Sequence, residues 1–338
     1  MTPLPTRIQR EEMVNNSNSS VKAVCRLLAE NDNFAVYTHE NPDADTVGSC
    51  FALVHALRLS GKKAYPVCCD RIPVSLTFLT GGERDFSEDS LPADFSPTFR
   101  ISVDVASPSQ LGKYMGRAKE MRLVLDHHRT HESYSPVRIV DPQAAACAEI
   151  VYRIVNRMLA GRIPEDIASL LYAALAADTG GFRYANTTPF THKIAAKLIE
   201  RGVNHASICR DLFECKTKSA LAAEAFAMAN VQYFCGGKIS YIRMTEADKK
   251  AGGFEEEDTY DVINAIRRAD GVKVAIFVRE RADGSYKIST RSSCDIDVSK
   301  ICAIFGGGGH FGAAGCVVCA DNVDSAVKRI IKECGFHE

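Results

Sequence analysis

The chain has 338 residues, 46% hydrophobic and 25% charged, with a formal net charge of −1. That much apolar material excludes wholesale disorder, and the length fits two domains. A charge so near zero excludes long, non-specific duplex binding, which needs many basic groups against phosphates, but not a small anion held by a few local residues.

In chain order, the opening "MTPLPTRIQREEMVNNSNSS" lacks the apolar core of a signal peptide, and "VKAVCRLLAE" reads as a capped helix. "NFAVYTH" predicts a strand, "ADTVGSCFALVHALRLSG" a helix ended by Gly61, and "KAYPVCC" a second strand. "FRISVDVA", "MRLVLDHH" and "VRIVD" are three further apolar runs of strand length. Strands alternating with helices give a parallel α/β sheet. After Pro142 the pattern turns helical in "CAEIVYRIVNRML", "PEDIASLLYAALAADTGG" and "THKIAAKLIERG". The stretch "ASICRDLFECKTKSALAAEAFAMANVQYF" is also helix-like and leads to Gly236 and Gly237. Beyond it, "KISYIRMT", "VKVAIFVRE" and "SYKISTRS" alternate as strands, with "YDVINAIRRADG" and "DSAVKRIIKEC" as amphipathic helices. The expected division is therefore residues 1–196 as a parallel-sheet domain, 197–235 as a helical linker and 236–338 as a smaller α/β domain, with a cleft between the two domains.

No apolar run approaches the roughly 20 residues that span a bilayer. The 13 cysteines follow no repeated spacing, so the expectation is a cytoplasmic protein with reduced thiols and no membrane contact. Cys316 and Cys319 form a C-x-x-C, but in a strand-like run, where positions three apart face opposite ways; apolar filling is the plainer reading.

Ligands of open parallel sheets bind at the carboxyl ends of the strands. Acids and imidazoles fall there in four segments: His39, Asp43 and Asp45 in "YTHENPDADTVGS", Asp104 in "ISVDVAS", Asp126, His127 and His128 in "VLDHHRT", and Asp178 in "LAADTGGFRY". Each alone has a plainer meaning, such as a helix cap for Asp43 and Asp45, a turn for Asp104 or a surface pair for the histidines. One arrangement explains all four. Carboxylates gathered in one place either protonate or hold cations. A His/Asp set without cysteine suits Mn²⁺ and related divalent ions, with Mg²⁺ and Co²⁺ as alternatives, and the number of acids points to two ions.

The second domain carries "FGGGGHFGAAG". Four glycines, Gly306 to Gly309, suit a loop whose amides approach an anion closely, with His310 at its edge. Upstream, Arg291 ends a strand in "STRSSCDIDVSKI", suited to forking onto a phosphate, and Arg183 in "GGFRY" is a second such arginine.

Together, "HENPDADTVGS", "VDVAS", "LDHHRT", "AADTGGFRYANTTP" and "FGGGGHFGAAG" resemble, in order and over nearly the whole chain, the DHH/DHHA1 phosphoesterase family. Length and glycine loop are similar to its bifunctional oligoribonucleases and 3′-phosphoadenosine 5′-phosphate phosphatases, the nanoRNase branch. The resemblance implies an N-terminal DHH metal-binding domain and a C-terminal DHHA1 substrate-binding domain. It implies His39 and Asp43 on one ion, Asp45, His127 and Asp178 on a second, and Asp104 bridging both. Asp126 then orients its neighbours, His128 faces the phosphate as stabiliser or proton donor, and Arg291, His310 and Gly306 to Gly309 hold substrate. Where relatives carry Ser or Thr after "VDP", this chain reads "QAAACAE", so a hydroxyl contact there is not expected.

The implied activity is hydrolysis of short oligoribonucleotides and linear dinucleotides to nucleoside 5′-monophosphates, and of 3′-phosphoadenosine 5′-phosphate to AMP, by water that two cations make nucleophilic. Cyclic-di-AMP hydrolysis is the alternative. Inorganic pyrophosphate hydrolysis ranks lower, because such relatives lack a "GGGGH" loop. A non-catalytic nucleotide sensor also ranks lower, because the set of acids and histidines is complete. Family likeness further implies a homodimer.

Overall fold

A computed structural model describes residues 18–293 and 296–336. The chain divides into two compact units between Cys215 and Lys216. The stretch 197–235, read from sequence as a linker, is shared between them.

In the first unit, β1 (Phe34–Tyr37), β2 (Ala64–Val67), β3 (Phe99–Val103), β4 (Met121–Asp126) and β5 (Arg138–Val140) pair in parallel in the order β2-β1-β3-β4-β5. These are the five expected runs, and they are apolar on both faces because both faces of such a sheet are covered. Phe34, Val36, Ile101 and Val103 enter the larger core, while Ala35 and Tyr37 enter a smaller one on the opposite face. Strand order reverses between β1 and β3, so the chain leaves their carboxyl ends in opposite directions, the place where such sheets hold ligands.

Among the described residues, six α-helices accompany this sheet: α1 (Val21–Glu30), α2 (Ala44–Leu59), α3 (Cys147–Met158), α4 (Glu165–Asp178), α5 (Pro189–Ile199) and α6 (His205–Phe213). Every residue of α2 from Ala44 to Val54 is buried. Gly48 permits this. A Cβ there would lie 2.6 Å from the Leu170 carbonyl oxygen in α4, closer than any carbon–oxygen contact allows.

The second unit contains α7 (Lys218–Asn230), β6 (Gln232–Phe234), β7 (Ile239–Met244), α8 (Glu246–Gly252), α9 (Val262–Ile266), β8 (Val274–Glu280), β9 (Tyr286–Ser292), α10 (Val298–Ala303), β10 (Gly308–His310), β11 (Ala313–Val318) and α11 (Val323–Glu333). Its sheet runs β10-β11-β9-β8-β7-β6, antiparallel except for the β7–β8 pair. One face packs on α10 and α11, the other on α7 and α9.

The helix-like stretch before Gly236 is two helices and a strand. Thr217 caps α7 by accepting from the Ala220 N–H, which restarts the helix after α6, and Gln232–Phe234 is strand β6. The glycine run is not wholly a loop, since Gly308–His310 form β10 against β11. Gly307 and Gly309 are glycines for steric reasons: a Cβ would meet the Gly315 oxygen at 2.1 Å and the Ala313 oxygen at 2.4 Å, respectively. Helix α8, opened by a Thr245–Asp248 capping box, was not expected from sequence. Among the described residues, no helix is long and apolar enough to cross a membrane.

Candidate metal centre

Asp104 follows the last residue of β3 and is almost fully buried, at 2% exposure. Its backbone is left-handed (φ 62°), a conformation that Asp tolerates better than most residues. Its N–H donates to the Leu125 carbonyl at 2.8 Å, which ties the end of β3 to β4 and fixes where the carboxylate projects. Its Oδ1 is buried without a hydrogen-bond partner. A buried, unsatisfied carboxylate oxygen is costly, so the site asks for a positive charge.

Two imidazoles face it. His39, just beyond β1, has Nδ1 2.7 Å from the Glu40 carbonyl oxygen, and its Nε2 lies 3.6 Å from both Asp43 Oδ1 and Asp104 Oδ2. His127, just beyond β4, has Nδ1 3.2 Å from the Ala144 carbonyl oxygen, and its Nε2 lies 3.4 Å from both Asp104 Oδ1 and Asp178 Oδ2. A carbonyl oxygen only accepts, so each Nδ1 donates and each Nε2 is turned toward carboxylates, the arrangement of metal-ligating histidines.

The separations fit the same chemistry. Two donors bound to one ion at about 2.1 Å, at angles of about 90–110°, stand roughly 3.0–3.4 Å apart. The nitrogen–oxygen distances run from the upper edge of that range, 3.4 Å at His127, to slightly past it, 3.6 Å at His39, and lie beyond ordinary hydrogen bonds. Among the described residues, potential ligand atoms fall within 4.8 Å of one another in three sets: His39, Asp43 and Asp104; Asp45, His127 and Asp178; and Asp104, His127 and His128. Asp104 is common to the first and third sets, and His127 links the third to the second.

Asp45 has further partners that the sequence did not reveal. It sits in the first turn of α2, and its carboxylate accepts from the backbone N–H groups of Cys147 (2.6 Å) and Ala148 (3.0 Å) and from Ser49 Oγ (3.0 Å). It therefore caps α3 from outside, an interaction the helix dipole favours. Asp43 is the N-cap of α2, with Oδ1 accepting from the N–H groups of Asp45 and Thr46. The plainer reading of these two acids as helix caps thus describes hydrogen bonds that they make, and capping aims them.

Crowding shows in the titration. Loss of water contact, with the neighbouring charges of Asp43 and Asp104, pushes Asp178 up to about 7. Burial opposes protonation of His127, but the carboxylates of Asp104, Asp178 and Asp45 lift it to about 9. Without a cation, protons take up the charge.

Asp126, with 0% exposure, is in none of the three sets. Its Oδ1 accepts from His128 Nδ1 (2.7 Å) and from the backbone N–H groups of His127 (2.9 Å) and His128 (3.2 Å), and its Oδ2 lies 2.6 Å from His131 Nδ1. Despite burial, His128 and His131 hold its carboxyl well below the usual range. Asp126, read from sequence as orienting its neighbours, here contacts His127, His128 and His131; His131 was not singled out from sequence, although it stands in the same short stretch. Another such residue is Asn186, whose Nδ2 donates to the Ala145 and Asp178 carbonyls and pins the turn after α4.

Arg183, read as a phosphate contact, donates from Nε to the Gly180 carbonyl and lies over the Phe213 ring at 5.7 Å, within the first unit. Arg291 and Gly306 to Gly309 belong to the second unit. There Arg291 on β9 stands in register with Ala313 on β11, which in turn pairs with His310 on β10. The His310 side chain lies outside the described part of the structure.

Residues 33–175 match the DHH family N-terminal domain and residues 238–335 the DHHA1 domain. The chain is 32% identical over 300 residues to the bifunctional oligoribonuclease and PAP phosphatase NrnA of Thermus thermophilus, covering 88% of this chain and 87% of that one. The chain belongs to the DHH family. Among solved structures, this DHH protein superposes on an exopolyphosphatase-related protein from Bacteroides fragilis with a TM-score of 0.84, at 21% identity and over 93% of this chain and 95% of that one. It also shares its fold with an exonuclease RecJ bound to manganese, with a TM-score of 0.55 at 14% identity, covering 95% and 96% of the two chains.

Proposed function

We propose that this protein is a metal-dependent phosphoesterase that hydrolyses short oligoribonucleotides and linear dinucleotides to nucleoside 5′-monophosphates, and 3′-phosphoadenosine 5′-phosphate to AMP. The observation that carries the reading is the gathering of His39, Asp43, Asp45, Asp104, His127 and Asp178 at the carboxyl ends of β1, β3 and β4, with a buried oxygen of Asp104 lacking a partner. Similarity to NrnA supplies the substrate class.

In this proposal His39, Asp43 and Asp104 would hold one cation, and Asp45, His127 and Asp178 would hold another. Bound there, divalent ions, Mn²⁺ by preference, supply Lewis acidity toward the phosphoryl group and nucleophilic water near neutral pH. The chain's own part is positional. The Glu40 and Ala144 carbonyls set the His39 and His127 rings, and the α3 amides set Asp45. His128, held at Nδ1 by Asp126, is assigned in this reading to donate a proton to the departing ribose oxygen or to stabilise phosphoryl charge. Arg291 supplies a planar cation for an anionic group of the nucleotide.

One purified sample assayed with Mn²⁺ against di-adenylate, longer RNA, 3′-phosphoadenosine 5′-phosphate, cyclic-di-AMP and pyrophosphate tests the proposal. Release of AMP from the first and third is the expected outcome. Cleavage of pyrophosphate or cyclic-di-AMP with no action on di-adenylate would overturn it.

A further inference from the structure

We propose that His131 is a positioning residue for His128, acting through Asp126. The proposal deepens the phosphoesterase reading and rests on it for the part His128 plays. His131 is nearly buried, with 6% of its side chain exposed, and its Nδ1 lies 2.6 Å from Asp126 Oδ2. Its Nε2 is buried without a hydrogen-bond partner.

That orphan atom identifies the tautomer. A proton on Nε2 would bury a donor that nothing accepts, whereas a bare ring nitrogen there forgoes only a weak acceptor bond. With Nε2 bare, the proton of the neutral ring is on Nδ1, pointed at Asp126 Oδ2. The Tyr134 ring, 5.6 Å away and inclined by 31°, packs alongside the imidazole and limits its tilt. His131 therefore works as a fixed donor.

The consequence passes to the other carboxylate oxygen. Asp126 Oδ1 accepts three hydrogen bonds, including the one from His128 Nδ1 that sets the His128 ring. A carboxylate turns as one plane, so anchoring Oδ2 fixes Oδ1. Without His131 the Oδ2 end loses its anchor, the plane can tilt about the hydrogen-bonded Oδ1, and the aim of the His128 ring loosens. His127 is less dependent, because its own ring is held by the Ala144 carbonyl. The effect therefore falls on turnover more than on metal binding.

The test compares His131→Ala, His131→Asn and His131→Gln in the full chain with Mn²⁺. Asn presents an amide N–H near the position of Nδ1, while Gln presents one near Nε2. For H131A and H131Q, kcat for di-adenylate is expected to fall about 10–100-fold, the usual effect of removing an outer hydrogen-bond partner, with KM and the Mn²⁺ dissociation constant within about twofold. H131N should recover most of the lost kcat. An H131N variant as slow as H131A, or Mn²⁺ affinity falling in step with kcat, would overturn the proposal. Nitrogen-15 spectra of the His128 ring report without turnover: an altered Nδ1–H signal in H131A but not H131N is expected. An unchanged signal in H131A counts against the relay even if the substrate assignment is wrong.

Discussion

A methyl group on Gly48 would stand 2.9 Å from the Cβ of Ala174. Helices α2 and α4 therefore cross at a distance only glycine permits, and they carry Asp45 near the start of one and Asp178 at the end of the other. Gly48→Val should cost about 1–3 kcal/mol by overpacking. It should also weaken Mn²⁺ binding by moving Asp178 away from His127. Denaturant unfolding followed by circular dichroism, alongside a Mn²⁺ titration, checks both effects; an unshifted midpoint would show that the crossing has slack.

Asp104 makes a sharper case because its conformation and its charge are separable. Asn tolerates the left-handed backbone, whereas Ala is penalised there by about 1–2 kcal/mol. Asp104→Asn should lose Mn²⁺ binding and on the order of a thousandfold in turnover, several kcal/mol of transition-state stabilisation. Without metal it should melt no lower than the parent, since one crowded carboxylate has gone. Asp104→Ala should be equally inactive and less stable. An Asn variant that still turns over with Mn²⁺ would remove Asp104 from the centre.

Chelation should abolish activity, and added Mn²⁺ should restore it. The binding step itself should release protons. At pH 7 His127, with its pKa near 9, is protonated without a cation, and Asp178, near 7, is about half protonated. Both must present lone pairs to an ion, and His39, raised despite burial by Asp43 and Asp104, and Asp45, raised by burial and its neighbouring carboxylates, lean toward protonation as well, so loading at pH 7 should expel more than one proton. Affinity then rises with pH between about 6 and 9 and falls on acidification. Calorimetric titrations in two buffers of different ionisation enthalpy measure the count; identical heats in both would contradict it.

Arg291→Ala should raise KM for di-adenylate about tenfold or more, the loss of a charge-assisted contact, and leave Mn²⁺ binding alone. Steady-state kinetics and metal titration on the same variant separate the two. An unchanged KM would take Arg291 out of substrate binding.

The five strands of the first unit were legible because each is a short apolar run ended by polar chemistry, and the gathering of acids and histidines because they recur at those ends. What hid was of two kinds. The donors on Asp45 come from the amides of Cys147 and Ala148, about a hundred residues along, and backbone groups leave no mark on sequence. The glycine run has two possible causes, anion approach and close strand contact, which read identically; at Gly307 and Gly309 the β11 backbone is one. Strand β6 is three residues long, too short for an alternating pattern to register beside the alanine-rich helix before it.

Because Asp45 holds the first amides of α3 with the same carboxylate that faces His127, what happens at the centre is felt by that helix. An occupied site should slow deuterium uptake at Cys147 and Ala148, and an empty one should let the first turn of α3 fray. Those two amides make a built-in gauge of loading, readable without substrate.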